Sequence, residues 1–249
     1  MLMHIIIPAR YASTRLPGKP LADIAGKMLI QRVYDCAVKS GAQDITIATD
    51  DERIAAAASR FGARVCMTSG EHRSGTDRLA EVIKKLHISD DEIVVNLQGD
   101  EPLMPPTLIR QVADALASHA DAAVATACHV IADKSELINP NVVKVVFDAK
   151  GYALYFSRAA IPWPREMMTG NNDKSIRAYR HIGLYAYRAG FVSRYAAWPA
   201  CLLEQVEQLE QLRVLWHGER IAVCESKELP GPGVDTQEDL DRVRKIFSK

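Results

Sequence analysis

The chain has 249 residues, of which 48 % are hydrophobic and 25 % are charged, and these proportions exclude a disordered protein and a small disulfide-stabilised scaffold. Its 31 Lys and Arg residues balance its 31 Asp and Glu residues, so the sequence lacks the sustained basic field that nucleic acids and anionic membranes attract. No apolar run reaches the roughly 18 residues that cross a bilayer, and we expect a cytoplasmic protein with neither nucleic acid nor membrane as a partner.

The first half of the chain alternates short apolar runs with amphipathic stretches. The apolar runs predict strands at residues 4–8, 44–49, 64–67 and 93–97. Apolar residues at helical spacing predict helices at 28–40, 51–61, 76–86 and 106–118. Strands rich in Ile and Val between helices indicate a parallel sheet covered on both faces, and such sheets bind ligands at the carboxyl ends of their strands.

The second half has a different pattern. Strands are predicted at 122–131, 142–147, 153–157 and 181–188 without an obvious helix between them, which indicates an antiparallel extension over about residues 122–188. A long amphipathic helix is predicted at about 202–216, then a strand near 221–224 and a last helix from about 236. We expect a single domain over residues 1–249.

The loop after the first strand concentrates positive charge. Arg10, Arg15 and Lys19 occur there with two hydroxyl residues, Ser13 and Thr14, and a Pro-Gly turn. Side chains of this kind bind the separate oxygens of a triphosphate. The loop has the glycine spacing of neither a Walker loop nor a dinucleotide fingerprint, and a basic loop alone is more often a solvated surface.

Two aspartates strengthen the phosphate interpretation. Asp100 follows an apolar strand directly, and Asp235 precedes the last helix. Carboxylates beside a phosphate-binding loop are where Mg²⁺ bridging phosphate oxygens is held. The competing interpretations are that Asp100 caps the following turn or helix, and that Asp235 or Thr236 caps the last helix.

A nicotinamide-dependent dehydrogenase is a further alternative for this architecture. It needs a Gly-rich first turn and an acid after the second strand. Asp50 and Asp51 stand at that second position, but the glycines of the first turn are missing, so we set this alternative aside.

Three motifs carry a resemblance that extends along the whole chain. They are IPARYASTRLPGKP at 7–20, HRSGTDR at 72–78 and NLQGDEP at 96–102. Further matching segments follow at 139–144, 155–163, 180–185, 209–216 and 233–240. Together they closely resemble the 3-deoxy-manno-octulosonate (Kdo) cytidylyltransferase family, whose reaction joins CMP from CTP to Kdo and releases diphosphate.

The resemblance implies an α/β protein with the Rossmann-like nucleotide-diphospho-sugar transferase fold. Its sheet is mixed and mostly parallel, and an antiparallel extension contributes sugar-binding and dimer contacts. The implied biology is a cytoplasmic homodimer that supplies lipopolysaccharide biosynthesis in a Gram-negative bacterium, with CTP and Kdo as substrates and Mg²⁺ as cofactor.

The resemblance also implies residue roles. The catalytic residues are Arg10, Arg15, Lys19, Asp100 and Asp235, of which Asp100 and Asp235 ligate Mg²⁺. The nucleotide-binding residues are Ala9, Arg10, Ser13, Lys19, Ser74, Arg78 and Gln98. The sugar-binding residues are Gln98, Arg158, His181, Tyr185, Glu210 and Gln211. Because His181 and Tyr185 are four positions apart on a predicted strand, both side chains can line one cavity.

Several alternatives stay open. The Arg78 side chain can pair with Glu81 along its own helix instead of binding a nucleotide, and Ser74 and Thr76 can serve only as helix caps. The acceptor can be 8-amino-Kdo or a sialic acid instead of Kdo. In a different class, the chain can be a non-catalytic nucleotide-binding protein, although a paired Asp100 and Asp235 count against it.

Overall fold

The structure is a computed structural model that describes residues 3–12, 15–72, 74–164 and 177–248. Its strands are β1 (Met3–Ala9), β2 (Asp23–Ile24), β3 (Lys27–Met28), β4 (Asp44–Thr49), β5 (Arg64–Met67), β6 (Ile93–Asn96), β7 (Val124–Val130), β8 (Lys144–Phe147), β9 (Ala153–Ser157), β10 (Tyr179–Arg188) and β11 (Ile221–Glu225). Its helices are α1 (Leu29–Lys39), α2 (Glu52–Arg60), α3 (Gly75–Lys85), α4 (Pro106–Ser118), α5 (Lys134–Ile138), α6 (Ala189–Ala197), α7 (Leu202–Glu207), α8 (Gln211–Trp216) and α9 (Gln237–Phe247), with one 3₁₀ turn at Lys19–Leu21.

The main sheet has nine strands, and seven of them follow the order β11-β7-β10-β6-β1-β4-β5. β1 runs parallel to β4 and β6, and β11 runs parallel to β7. β10 is antiparallel to both of its neighbours, β6 and β7. Successive residues Ile5, Ile6 and Ile7 of β1 are all buried, because residues of both faces pack into hydrophobic clusters. The predicted mixed, mostly parallel α/β fold is confirmed.

The second half of the chain contributes to both the main sheet and a projection from it. β7 and β10 lie within the sheet, whereas β8 pairs with β9 and with the first residues of β10. The short helix α5 lies between β7 and β8, although the sequence suggested none there. The helix α6 was also missed, since its nine residues include Gly190 and it begins without a side-chain cap.

The predicted long helix at 202–216 is wrong. The chain instead forms the short helices α7 and α8, separated at Gln208, whose φ of 54° and ψ of 49° are left-handed. Apolar residues continue at helical spacing through the break, and Gln is not a typical helix terminator, so periodicity alone concealed it. The break places the N-terminus of α8 at the sugar-side pocket described below. Among the described residues, no helix is long and apolar enough to span a membrane.

Candidate active site at the carboxyl edge of the sheet

A cleft opens where β1 and β6 end and α3 begins. It is bordered by residues of the first loop, of the α3 N-terminus and of the loop after β6. The lining residues include Ala9, Arg10, Arg15, Lys19, Ser74, Arg78, Gln98, Asp100 and Asp235. The structure therefore brings together every described residue that the sequence assigned to the nucleotide, to Mg²⁺ or to catalysis. Ser13 lies outside the described residues.

Lys19 joins the two aspartates of this cleft. Its ammonium donates to Asp100 Oδ2 at 2.7 Å and to Asp235 Oδ1 at 3.2 Å, and the Lys19 side chain is only 13 % exposed. Arg15 Nη2 lies 3.2 Å from the other oxygen of Asp235. The 81 and 216 residues that separate Lys19 from its two partners show that the fold, not local sequence, assembles this charge cluster.

Of the competing capping interpretations, the structure confirms Thr236 as the N-cap of the last helix and contradicts helix capping by either aspartate. α4 begins at Pro106 with Pro105 as its N-cap, so Asp100 caps no helix. Thr236 caps α9, and Asp239 completes its capping box by accepting from Thr236 N. Both Asp100 and Asp235 consequently present their carboxylates to the cleft.

The donor set fits a magnesium ion. Carboxylate oxygens from Asp100 and Asp235 converge on one cation, the Lys19 ammonium, and hard oxygen ligands are those that Mg²⁺ prefers. Within the described part of the chain, no group of three or more His, Cys, Asp or Glu residues forms a metal cage. In the usual Mg²⁺ arrangement at phosphate sites, one or two carboxylates are completed by substrate phosphates.

Glu101, which the sequence analysis did not select, lies beside this cluster. Burial, followed by the charges of Asp100 and Asp235, raises the pKa of its carboxyl to about 7. One of its oxygens would lie 3.1 Å from a Cβ at Gly233, so the Gly-rich turn before Asp235 packs closely against it. The signal was present in the NLQGDEP motif, but nothing in the sequence distinguished Glu101 from a solvated acid.

Ser74 and Arg78 are both on α3, and each has a defined partner. Ser74 caps α3 in a reciprocal capping box with Asp77. The Arg78 side chain is 4 % exposed and binds Asp50 and Thr68. The alternative pairing of Arg78 with Glu81 is absent among the described contacts, where Glu81 binds His72 and Lys85 instead.

Gly99 permits the close approach of the loop after β6 to the end of β1. A Cβ at Gly99 would lie 2.6 Å from the backbone oxygen of Pro8, which a side-chain rotation cannot relieve. We expect Gly99→Ala to lower the free energy of unfolding by about 2 kcal/mol because the two loops must separate. Urea unfolding measures this free energy. The control is Gly183→Ala, because a Cβ at Gly183 would have no neighbour within 4 Å. Equal stability of the two variants would contradict the expectation.

A second pocket adjoins the first. Its walls come from the ends of β6 and β10, from α3 and from the start of α8, and Gly75 and Gln98 line both pockets. Tyr185, Glu210 and Gln211 are the other predicted sugar-binding residues that line it. Burial raises the pKa of Glu210, and Thr76 Oγ1 lies 3.5 Å from its Oε2. This sugar-side pocket mixes polar and apolar side chains, and it adjoins the cleft that holds the Lys19, Asp100 and Asp235 cluster.

Two buried polar atoms of this pocket lack a partner within the described residues. They are Asn96 Oδ1 and Gln211 Nε2, and their residues are 3 % and 7 % exposed. Asn96 ends β6 and pairs with Tyr185 of β10, so the two side chains occupy neighbouring positions on one face. An acceptor and a donor left unsatisfied in one pocket suit hydroxyl groups, which supply both functions. The sequence analysis missed Asn96, although it opens the NLQGDEP motif.

His181 and Tyr185 are brought together by an irregularity in β10. The pairing of β10 with β7 shifts between Ile182 and Tyr185, and the rings of His181 and Tyr185 lie 5.4 Å apart. Tyr185 lines the sugar-side pocket, whereas His181 lines an adjacent pocket with Glu101 and Arg180, and Gly183 borders both. The two side chains therefore border neighbouring pockets.

The buried His181 ring predicts a pH-dependent stability. Burial lowers the pKa of His181 to about 3, so the unfolded chain binds a proton below pH 6.5 that the folded chain does not. Stability contributed by the neutral ring is complete above pH 6.5 and falls as the pH decreases, by about 2 kcal/mol at pH 5. Urea unfolding at pH 7 and pH 5 should show that the pH dependence of stability in His181→Gln differs from that of the wild type by about 2 kcal/mol, while the variant of the exposed His87, His87→Asn, keeps the wild-type pH dependence. An unchanged pH dependence in His181→Gln would contradict the assignment.

Arg158 lies apart from the other predicted sugar residues. Its guanidinium donates to the backbone oxygens of Glu207 at 2.7 Å and Pro140 at 3.0 Å. It fastens the end of β9 to the C-terminus of α7, and the structure does not place it among the residues lining the sugar-side pocket.

Comparison with known proteins places the chain in context. Residues 4–221 match the family model described as Cytidylyltransferase. The 3-deoxy-manno-octulosonate cytidylyltransferases of Vibrio parahaemolyticus and Idiomarina loihiensis are 58 % and 57 % identical, with 100 % and 99 % of this chain and 99 % and 98 % of theirs covered. A solved structure of CMP:2-keto-3-deoxy-manno-octonic acid synthetase complexed with CTP has a TM-score of 0.91 at 42 % identity, covering 100 % of this chain and 99 % of that one.

Proposed function

The chain belongs to the 3-deoxy-manno-octulosonate cytidylyltransferase family, and from this premise we propose that it transfers CMP from CTP to Kdo and releases diphosphate. The anomeric hydroxyl of Kdo forms a bond to the α-phosphorus of CTP as the bond to the diphosphate breaks, and the hydroxyl proton leaves to solvent. The observation that carries the proposal is the Lys19, Asp100 and Asp235 cluster in a cleft that shares Gly75 and Gln98 with a second pocket.

The cationic end of the cleft suits the triphosphate. Arg10, Arg15 and Lys19 line it, and a reaction of this type depends on in-line positioning and on neutralising charge that develops on the departing diphosphate. Because Lys19 is already held between two carboxylates, its ammonium is positioned before the nucleotide binds. The first turn of α3, which begins at Gly75, adds backbone N–H groups beside the nucleotide, while the Ser74 N–H donates to Asp77.

We assign Mg²⁺ to Asp100 and Asp235. When bound, the ion would supply neutralisation of phosphate charge between the two substrates. The residues themselves hold the ligand oxygens within one cluster, which Lys19 occupies in this structure. Phosphate oxygens of a bound triphosphate would be alternative partners for the Lys19 ammonium, and Asp100 and Asp235 would then be the residues that hold the ion.

The sugar-side pocket suits a polyhydroxylated acid. Gln98 borders both pockets, so it can contact both substrates. The unpartnered amide atoms of Asn96 and Gln211, together with Tyr185 and Glu210, provide donors and acceptors for hydroxyl groups. The same chemistry would accept a related keto sugar acid, so the substrate must be chosen by experiment.

The test is diphosphate release by the purified full-length chain with CTP, Mg²⁺ and Kdo, beside reactions that replace Kdo by 8-amino-Kdo or sialic acid and CTP by UTP or GTP. We expect release only when CTP, Kdo and Mg²⁺ are present together. Turnover with a different sugar acid would change the substrate and keep the mechanism. Binding of CTP without turnover of any sugar would favour a non-catalytic nucleotide-binding protein.

We further propose a cytoplasmic homodimer that serves lipopolysaccharide biosynthesis. The support for the dimer is a set of exposed apolar side chains on the projection and the helices beside it, including Leu154, Leu202, Val206 and Trp216. Exposed apolar side chains are candidates for burial at a protein–protein interface. Sedimentation analysis of the wild type and Val206→Glu tests it, since a charge within the interface should shift the variant to a monomer.

A further inference from the structure

A buried guanidinium lines the nucleotide cleft. Arg78 projects from α3 and lines the cleft, yet its side chain is only 4 % exposed. Its Nη2 donates to Asp50 Oδ2 at 3.1 Å, and its Nη1 donates to Thr68 Oγ1. Asp50 directly follows β4 and Thr68 directly follows β5, so two neighbouring strand ends fix the orientation of one side chain from α3.

The partners of Arg78 suit it to a neutral group. The Asp50 carboxylate offsets the charge of the buried guanidinium, and the same cleft holds Arg10, Arg15 and Lys19 as the cations proposed for the triphosphate. Two of the five guanidinium N–H donors are occupied by Asp50 and Thr68, and the planar fork leaves donors in a fixed direction. In a buried setting, such fixed donors discriminate strongly between ligands that can and cannot accept from them.

We propose that Asp50, assisted by Thr68, is a positioning residue that orients Arg78 to bind the pyrimidine base and favours cytosine over uracil. This inference rests on the proposed use of CTP. Cytosine presents two adjacent acceptors, O2 and N3, to a pair of parallel N–H donors. Uracil presents an N–H at position 3, so one donor of Arg78 would face another donor. Asp50 was noticed in the sequence only as the acid that a dehydrogenase would need.

The test measures nucleotide affinity without any sugar, by calorimetric titration of CTP and of UTP in the presence of Mg²⁺. We expect Asp50→Asn to weaken CTP binding about tenfold and to lower the ratio of UTP to CTP dissociation constants by a similar factor. The matched control is Asp44→Asn at the other end of β4, which removes a carboxylate paired with Arg64 at 2.8 Å and should leave the ratio unchanged.

A double-mutant cycle distinguishes positioning from a general structural effect. If Asp50 acts through Arg78, then Asp50→Asn changes the ratio in the wild-type background and not in Arg78→Ala. An equal change in both backgrounds, or an equal loss of CTP and UTP affinity in the single variant, would overturn the proposal. If Asp50→Asn does not fold, Thr68→Val removes the other acceptor of Arg78, and an unchanged ratio in that variant overturns it as well.

The outcome separates this inference from the proposed function. Selective binding of CTP that depends on Asp50, combined with no diphosphate release from any sugar, would uphold the inference and reject the transferase function. Diphosphate release with CTP and Kdo, combined with an unaltered ratio of UTP to CTP dissociation constants in Asp50→Asn, would uphold the transferase function and reject the inference.

Discussion

Asp100→Asn and Asp235→Asn should each lower the rate of diphosphate release from CTP and Kdo by about a thousandfold or more, while the fold persists. Each substitution removes a charged oxygen ligand from the proposed Mg²⁺ site and half of the pair that surrounds Lys19. Metal ions supply several kcal/mol of charge stabilisation in the transition state, and about 1.4 kcal/mol corresponds to a tenfold change in rate. Initial rates at saturating CTP, Kdo and Mg²⁺ measure the effect.

The control for these variants is Glu238→Gln, which removes an exposed acid in the first turn of α9, three residues beyond Asp235. We expect it to retain wild-type rates. Circular dichroism and thermal melting of all three variants establish that the folds are equivalent. Near-normal turnover in either Asp variant would remove that residue from the metal site and from catalysis.

The sequence predicted those parts of the site in which a single motif lies at the end of a single strand. The loop after β1 and the Asp100 turn after β6 have distinctive composition, and parallel strands place their carboxyl ends at one edge of the sheet. Proximity of Arg15, Lys19 and Asp100 therefore followed from topology. The metal-binding role of Asp235 was predicted only from the family resemblance. By its position alone, a residue in a turn before a capped helix is ordinarily structural.

The parts that the sequence did not predict depend on contacts between distant elements. The left-handed Gln208 ends α7 and positions Glu210 and Gln211, yet no residue preference announces it. The register shift in β10 sets the direction of Tyr185 and is invisible to a count of alternating residues. For Arg78, the sequence suggests Glu81 on the same helix as a partner. The observed partners, Asp50 and Thr68, depend on the packing of α3 against the ends of β4 and β5.

These features share a physical cause. Local patterns specify which face of an element is buried, but they do not specify the partner of a polar side chain once several candidates exist. Polar groups inside the fold pair because leaving them unsatisfied is costly, and the available partners are set by tertiary packing. Within the described chain the exceptions are His4 Nε2, Asn96 Oδ1 and Gln211 Nε2, and the last two belong to residues that line the sugar-side pocket.

Lys19→Met should separate two roles of the lysine: its contact with the phosphates, and its competition with a metal ion for the two aspartates. Loss of the ammonium that contacts Asp100 and Asp235 should lower CTP-dependent turnover about a hundredfold, because a preorganised cation at the phosphates disappears. The same change should strengthen binding of Mn²⁺ in the absence of nucleotide, since no internal cation then competes for the two carboxylates. Turnover assays and Mn²⁺ titration followed by electron paramagnetic resonance measure the two effects.

The control is Lys19→Arg, which keeps the positive charge. In the absence of nucleotide, we expect it to bind Mn²⁺ as weakly as the wild type does. If Lys19→Met also binds Mn²⁺ no better than the wild type, the lysine does not compete for the metal ligands, and its role is confined to the phosphates.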